Sequence, residues 1–167
     1  MIRKAVSADI KEIMDIIRVT IIEMHSNYNQ QWDETYPQEK DFIRDISCGD
    51  LYVLERDGKL IAFVCVNTVE PSEYKGLCWS QSKEAMVIHR MSVDPEYRRK
   101  GVAKELMIFA EDLAKIKSNR YLKTDTYSTN DKMNALFIKC GYNFIGEIRL
   151  IGKEKPYYCY DKVLGDA

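Results

Sequence analysis

Between residues 97 and 103 the chain reads YRRKGVA, which sets three cations, Arg98, Arg99 and Lys100, against one glycine, Gly101, where an apolar stripe begins. Helix starts ordinarily favour negative charge, because their first N–H groups have no intrahelical acceptor. Cations gather there with good reason when an anion is bound. Several backbone N–H groups at such a turn can converge on a phosphate oxygen, and the glycine lets it approach. Arg98, Arg99 and Lys100 then add charge-assisted contacts to a pyrophosphate or a 3'-phosphate. No Gly-Lys-Ser/Thr follows, so the segment is not a P-loop and does not indicate Mg-nucleotide chemistry. The R-x-x-G-x-A pattern is short and made of common residues, and a solvated turn would satisfy it equally well.

The elements that must hold this turn follow from periodicity. Val102, Leu106, Phe109, Leu113 and Ile116 form one helical stripe beginning near Gly101. The preceding run AMVIHRMSV (85–93) predicts a strand stopped by Asp94-Pro95, with Val87, His89, Met91 and Val93 on one face. YLKTDTY (121–127) predicts the strand after the helix, and this crossover forces a parallel pair. Upstream, Ile10, Ile13, Met14, Ile17, Ile21 and Met24 predict a helix over 8–25, and Pro37 opens a second helix that ends at Gly49. LYVLERDGKLIAFVCVN folds back at Asp57-Gly58 as a hairpin. Downstream, NDKMNALFIKC predicts a short helix closed by Gly141, then YNFIGEI and YYCYDKV two last strands. The order β-α-α-β-β-β-α-β-α-β-β predicts one α/β domain over 1–167, a mixed, mostly antiparallel twisted sheet flanked by helices.

Composition narrows the function classes. The 25 Lys plus Arg nearly cancel the 26 Asp plus Glu, so the chain lacks the basic excess of a nucleic-acid binder, and any anion site is local. The five cysteines form no C-x-x-C pair and suit a reducing, cytoplasmic setting, and two histidines outside any ligand spacing leave no basis for a metal. The longest apolar run, LIAFVCV, is too short to cross a bilayer, so no membrane partner is expected. The oligomeric expectation stays at monomer or homodimer.

VIHRMSVDPEYRRKGVAKELM resembles the acetyl-CoA-binding motif of the GNAT superfamily of N-acetyltransferases, a strand, then [RQ]-x-x-G-x-[GA], then a helix. NALFIKCGYNFIGE is similar to that superfamily's second motif, A-L-Y-x-K-x-G-F. The resemblance covers nearly the whole chain and implies a GNAT-like fold in a single N-acetyltransferase domain. It also implies acetyl-CoA as cosubstrate, no metal, and direct attack on the thioester by a primary amine of a small molecule, peptide or protein. By the same resemblance the N–H groups of Arg99 through Ala103 hold the CoA pyrophosphate, with Arg98 and Lys100 nearby. Main-chain groups of Met91 and Val93 take the pantetheine arm, the Met91 N–H faces the thioester oxygen, and the Asn130 amide contacts the cosubstrate. The tyrosine of A-L-Y, the family's usual acid for the departing thiolate, is replaced by Phe137.

Acetyl transfer needs a proton acceptor for the amine, a polarised carbonyl and a route for the thiolate to leave. His89, sharing a strand face with Met91, is the first candidate base, since imidazole titrates near neutral pH, and it equally fits a hydrogen-bonded structural histidine. Glu84, at the start of the strand, is the second. Tyr142, Tyr127 and Ser128 are hydroxyls that could stand in for the missing acid. Trp32, Asp33, Glu34 and Tyr36 suggest an aromatic and acidic wall for a cationic amine, with Tyr157 opposite, although Trp32 and Tyr157 suit core packing as well. The competing reading is a CoA-binding sensor or structural subunit without turnover, a possibility sharpened by Phe137.

Overall fold

The computed structural model describes residues 1–165 of the 167-residue chain. The strands are β1 (Ile2–Lys4), β2 (Leu51–Arg56), β3 (Lys59–Asn67), β4 (Met86–Val93), β5 (Tyr121–Tyr127), β6 (Asn143–Ile148) and β7 (Tyr157–Val163). The helices are α1 (Ile10–Ser26), α2 (Glu39–Cys48), α3 (Val102–Ile116) and α4 (Asp131–Lys139). The strands form one mixed sheet in the order β1-β2-β3-β4-β5-β7-β6, parallel only at β4–β5 among the registered pairs. The expected element order holds throughout. The described residues fall into two compact units, Met1–Val66 with Arg90–Leu106, and Asn67–His89 with the chain from Met107 onward.

In the first unit, β2 and β3 pair from Leu51↔Cys65 to Arg56↔Lys59, and Asp57 (φ 51) and Gly58 (φ 74) both take the positive φ that a two-residue hairpin turn demands. Their alternation sends Leu51, Val53, Phe63 and Cys65 into a core with Ile13, Ile16 and Ile17 of α1 and Phe42 of α2. The edge of the Phe42 ring meets Phe63 at 5.3 Å between centroids. Capping sets the ends of α2, where Asp41 accepts the Gln38 N–H at 2.8 Å and Gly49 turns left-handed at φ 72.

In the second unit β4 and β5 register in parallel over Met86↔Leu122, Val87↔Lys123 and Ile88↔Thr124. The Thr124 hydroxyl donates to the Ile88 carbonyl at 2.9 Å where this ladder ends. Both strands run on, so the β4 residues after Ile88 are not registered against β5. β7 pairs antiparallel with β5 over seven residues on one side and with β6 on the other. One face of this region holds Phe137 of α4 against Tyr160. Another cluster joins Val87, Tyr127, Ile148, Tyr157 and Cys159 to Tyr74, which comes from a 3-10 turn, Ser72–Gly76, in the loop between β3 and β4.

Candidate functional site

The turn that opens α3 is built by its own sequence. The Asp94 side chain accepts the Glu96 N–H at 3.0 Å, Pro95 starts a 3-10 turn, and Tyr97 N–H closes it on the Asp94 carbonyl at 2.8 Å. Arg99 (φ 59) and Gly101 (φ 79) then both take left-handed backbone, a sharp double bend before the helix. The Glu105 N–H bonds the Gly101 carbonyl at 3.0 Å, so the N–H groups before Glu105 precede the helical ladder. A Cβ placed on Gly101 would meet no protein atom within 4 Å. The glycine is therefore required by its φ, and the space in front of it is open.

The three cations do not behave alike. Arg99 and Lys100 are exposed, with Lys100 lying over the Tyr97 ring at 5.1 Å. Arg98 turns inward, pairing with Glu23 of α1 and donating from Nε to the Val93 carbonyl at 3.1 Å. The half-buried Arg98 guanidinium thus already has a carboxylate and a carbonyl as partners, whereas Arg99 and Lys100 face solvent. The side chain of Val102 is buried and anchors the helix start, while Met91 is half-buried and Val93 buried.

On β4, His89 Nε2 lies 2.7 Å from Asn67 Oδ1, and that oxygen also accepts the Val69 N–H at 2.9 Å. An atom that accepts a backbone N–H is an acceptor, so His89 donates from Nε2. Glu84 is exposed and precedes the strand, five residues and on the order of 16 Å of extended chain from His89. That distance along the strand argues against a shared task.

The residues expected at an acceptor wall are placed differently from one another. Trp32 is buried in the α1–α2 core, and its carbonyl faces His25 Nε2 at 3.1 Å. Asp33 accepts the Thr35 N–H and hydroxyl at 2.7 and 2.6 Å, closing its own turn, and Glu34 points to solvent. Tyr36 accepts from Arg90 at 2.8 Å, and the same guanidinium meets both oxygens of Asp45 at 2.8 and 2.7 Å. Arg90 and Asp45 are nearly fully buried, a fixed pair rather than a ligand-facing one. Tyr157 packs edge-on against Tyr127 at 5.1 Å.

Around α4, the Asn130 side chain caps the helix by accepting the Met133 N–H at 3.3 Å. Asn134, which the sequence did not single out, donates to the Tyr127, Ser128 and Asn130 carbonyls and accepts from the Tyr160 hydroxyl at 2.6 Å. Phe137 is buried between Tyr160 and Tyr142. The Tyr142 hydroxyl is wholly buried, and desolvation followed by the Glu111 charge pushes its phenol far above the usual range. A group so placed is a poor proton donor.

The unforeseen part is the face of β5 under the β3–β4 loop. Asp125 accepts the Tyr74 hydroxyl at 2.5 Å, Trp79 Nε1 donates to the Tyr74 carbonyl at 2.8 Å, and Lys123 pairs with Glu70 at 2.7 Å beneath the Trp79 ring. Asp161 accepts from Tyr121 and from Ser80, which ties the end of the loop down. The signal was present in YLKTDTY, where Lys123 and Asp125 alternate with tyrosines on one strand face.

The family model for acetyltransferases of the GNAT family matches residues 18–142. No curated protein matches the chain. Among solved structures, a GNAT-family acetyltransferase from Streptococcus agalactiae 2603 superposes at a TM-score of 0.86 with 24% identity, over 99% of this chain and 96% of that one. A protein from Staphylococcus aureus Mu50 is 28% identical at a TM-score of 0.78, over 99% of both chains. The Salmonella typhimurium protein yncA, solved with its cofactor acetyl-CoA, is 13% identical at a TM-score of 0.72, over 100% of this chain and 95% of that one. With the strand, turn and helix in the family's order and the family model spanning most of the sequence, the chain belongs to the GNAT family of acetyltransferases.

Proposed function

We propose that the chain works as a single N-acetyltransferase domain in the cytoplasm, moving an acetyl group from acetyl-CoA to a primary amine by direct attack in a ternary complex. The observation that carries this reading is the turn of 98–103, where two left-handed residues precede a helix whose first N–H groups lie outside the helical ladder, beside exposed Arg99 and Lys100. Those groups, with open space at Gly101, fit a pyrophosphate. Main-chain groups of Met91 and Val93, on the stretch of β4 not registered with β5, suit a pantetheine arm, the Val93 carbonyl being shared with Arg98. Asn130 enters through its helix cap, which orients the amide at the β5–α4 turn.

In the reaction the amine nitrogen forms a bond to the thioester carbonyl carbon as the carbon–sulfur bond breaks. His89, its ring oriented by the Asn67 contact, accepts the proton shed by nitrogen during attack and returns it to the thiolate, so Phe137 needs no hydroxyl. The test is release of CoA thiol across a library of amines, with acetyl-CoA binding followed by calorimetry. Release with at least one amine is expected. Tight binding of acetyl-CoA without transfer to any amine would favour the CoA-binding sensor, the reading that the buried, hydroxyl-free Phe137 supports.

A further inference from the structure

Asp125 stands out in the second unit. Its strand neighbours Lys123, Thr124, Thr126 and Tyr127 are buried, yet Asp125 itself keeps part of its surface open to solvent. Tyr74, fully buried in the β3–β4 loop, donates to it at 2.5 Å. Among the described residues no cation pairs with it. Lys123, two residues back on the same face, is held by Glu70 at 2.7 Å and by the Trp79 ring at 4.4 Å. His89 and Asp125 are the residues immediately after Ile88 and Thr124, the last registered pair of β4 and β5. A carboxylate without a cation, on a residue that keeps part of its surface exposed and on a face that also carries Tyr74, Trp79, Tyr127 and Tyr157, has the chemistry of a cationic-amine subsite.

We propose that Asp125 is a catalytic residue that receives the ammonium group of the acceptor, a protonated alkylamine, and takes its first proton, while Tyr74 positions the carboxylate. This deepens, and rests on, the acetyltransferase reading. The alkylammonium gives one proton to an Asp125 oxygen, leaving a neutral amine and a carboxylic acid. The nitrogen lone pair then bonds to the thioester carbon, the carbon–sulfur bond breaks, and the second proton from nitrogen reaches sulfur by way of His89. Asp125 returns its proton to water. Alkylammonium and acetyl thioester thus become amide, thiol and one released proton. Burial pushes the Asp125 carboxyl up to about 6, and the hydrogen bond from Tyr74 opposes that shift. A base poised nearer neutrality is better matched to this transfer than an ordinary carboxylate.

The groups that bear on a pH profile are Tyr74 and Glu70 from the loop, Lys123 from β5, His89 from β4, and Cys159 and Asp161 from β7. The experiment compares wild type, Asp125→Asn and Tyr74→Phe, using the best alkylamine from the library, with kcat/KM followed against pH and acetyl-CoA binding by calorimetry. Asp125→Asn is expected to bind acetyl-CoA as wild type does and to lose about 100-fold or more in kcat/KM. Tyr74→Phe is expected to move the acid limb of the profile to higher pH, because it removes the contact that favours the charged carboxylate. A merely structural Asp125 would not move that limb. Wild-type kcat/KM in Asp125→Asn overturns the proposal, as does an unmoved limb in Tyr74→Phe, and the second variant decides alone if the first does not fold. Failure of the wild type to release CoA with any amine overturns the acetyltransferase reading instead.

Discussion

At the scale of single residues, hydrogen bonding decides which side chains are available for chemistry. His89 donates from Nε2 to Asn67, which orients the ring. His89→Gln keeps a donor near the Asn67 oxygen, so its thermal midpoint should stay close to wild type while kcat falls by about 100-fold. A large loss of stability with normal specific activity would make His89 a structural histidine. Phe137 is a different case, because its ring is closed in by Tyr160 and Tyr142. A hydroxyl added there lacks an arranged partner, and Phe137→Tyr should leave kcat unchanged or slightly lower while costing about 1–3 kcal/mol of stability. A tenfold or greater gain in steady-state kcat would show that protonation of the leaving thiolate limits the rate.

At the scale of elements, the proposed function rests on the turn before α3. Its two left-handed residues precede N–H groups that lie outside the helical ladder, and only at Gly101 is that conformation free of Cβ strain. Gly101→Asn tolerates the left-handed region without adding charge, whereas Gly101→Asp sets a carboxylate where a pyrophosphate is expected. Calorimetry should find acetyl-CoA affinity near wild type for the first and at least about tenfold weaker for the second, one factor of ten being about 1.4 kcal/mol. Equal affinities in all three proteins would place the anion elsewhere. The β3–β4 loop is the other element with a task, since its 3-10 turn delivers Tyr74 to β5 and its end is tied to Asp161.

At the scale of the molecule, the first unit is fastened by charge as well as by its core. Arg90 on the strand, Asp45 on α2 and Tyr36 in the α1–α2 loop form a single buried network. Removing one member strands the other charge, so Asp45→Ala should lower stability by about 3–5 kcal/mol, read from the urea midpoint at unchanged slope. Loss of less than about 1 kcal/mol would mean that water or Tyr36 compensates Arg90. In the described residues no helix is long and apolar enough to cross a membrane, and none of the five cysteines is in a disulfide.

The elements and the bent, cation-bearing turn before α3 were legible in the sequence because both are local. Helical stripes, the Asp57-Gly58 hairpin, the Asp94-Pro95 stop and the glycine after three cations each act within a few residues of where they are written. Which side chains face the chemistry was not local. The pairing of Arg98 with Glu23, far earlier in the chain, and the place of Trp32 in the α1–α2 core are set by groups distant in sequence. Asp125 reads as one more strand residue until the turn carrying Tyr74 reaches it from 51 positions away. Backbone conformation is set by neighbours along the chain, whereas the burial and pairing of a charge depend on groups that only folding brings together.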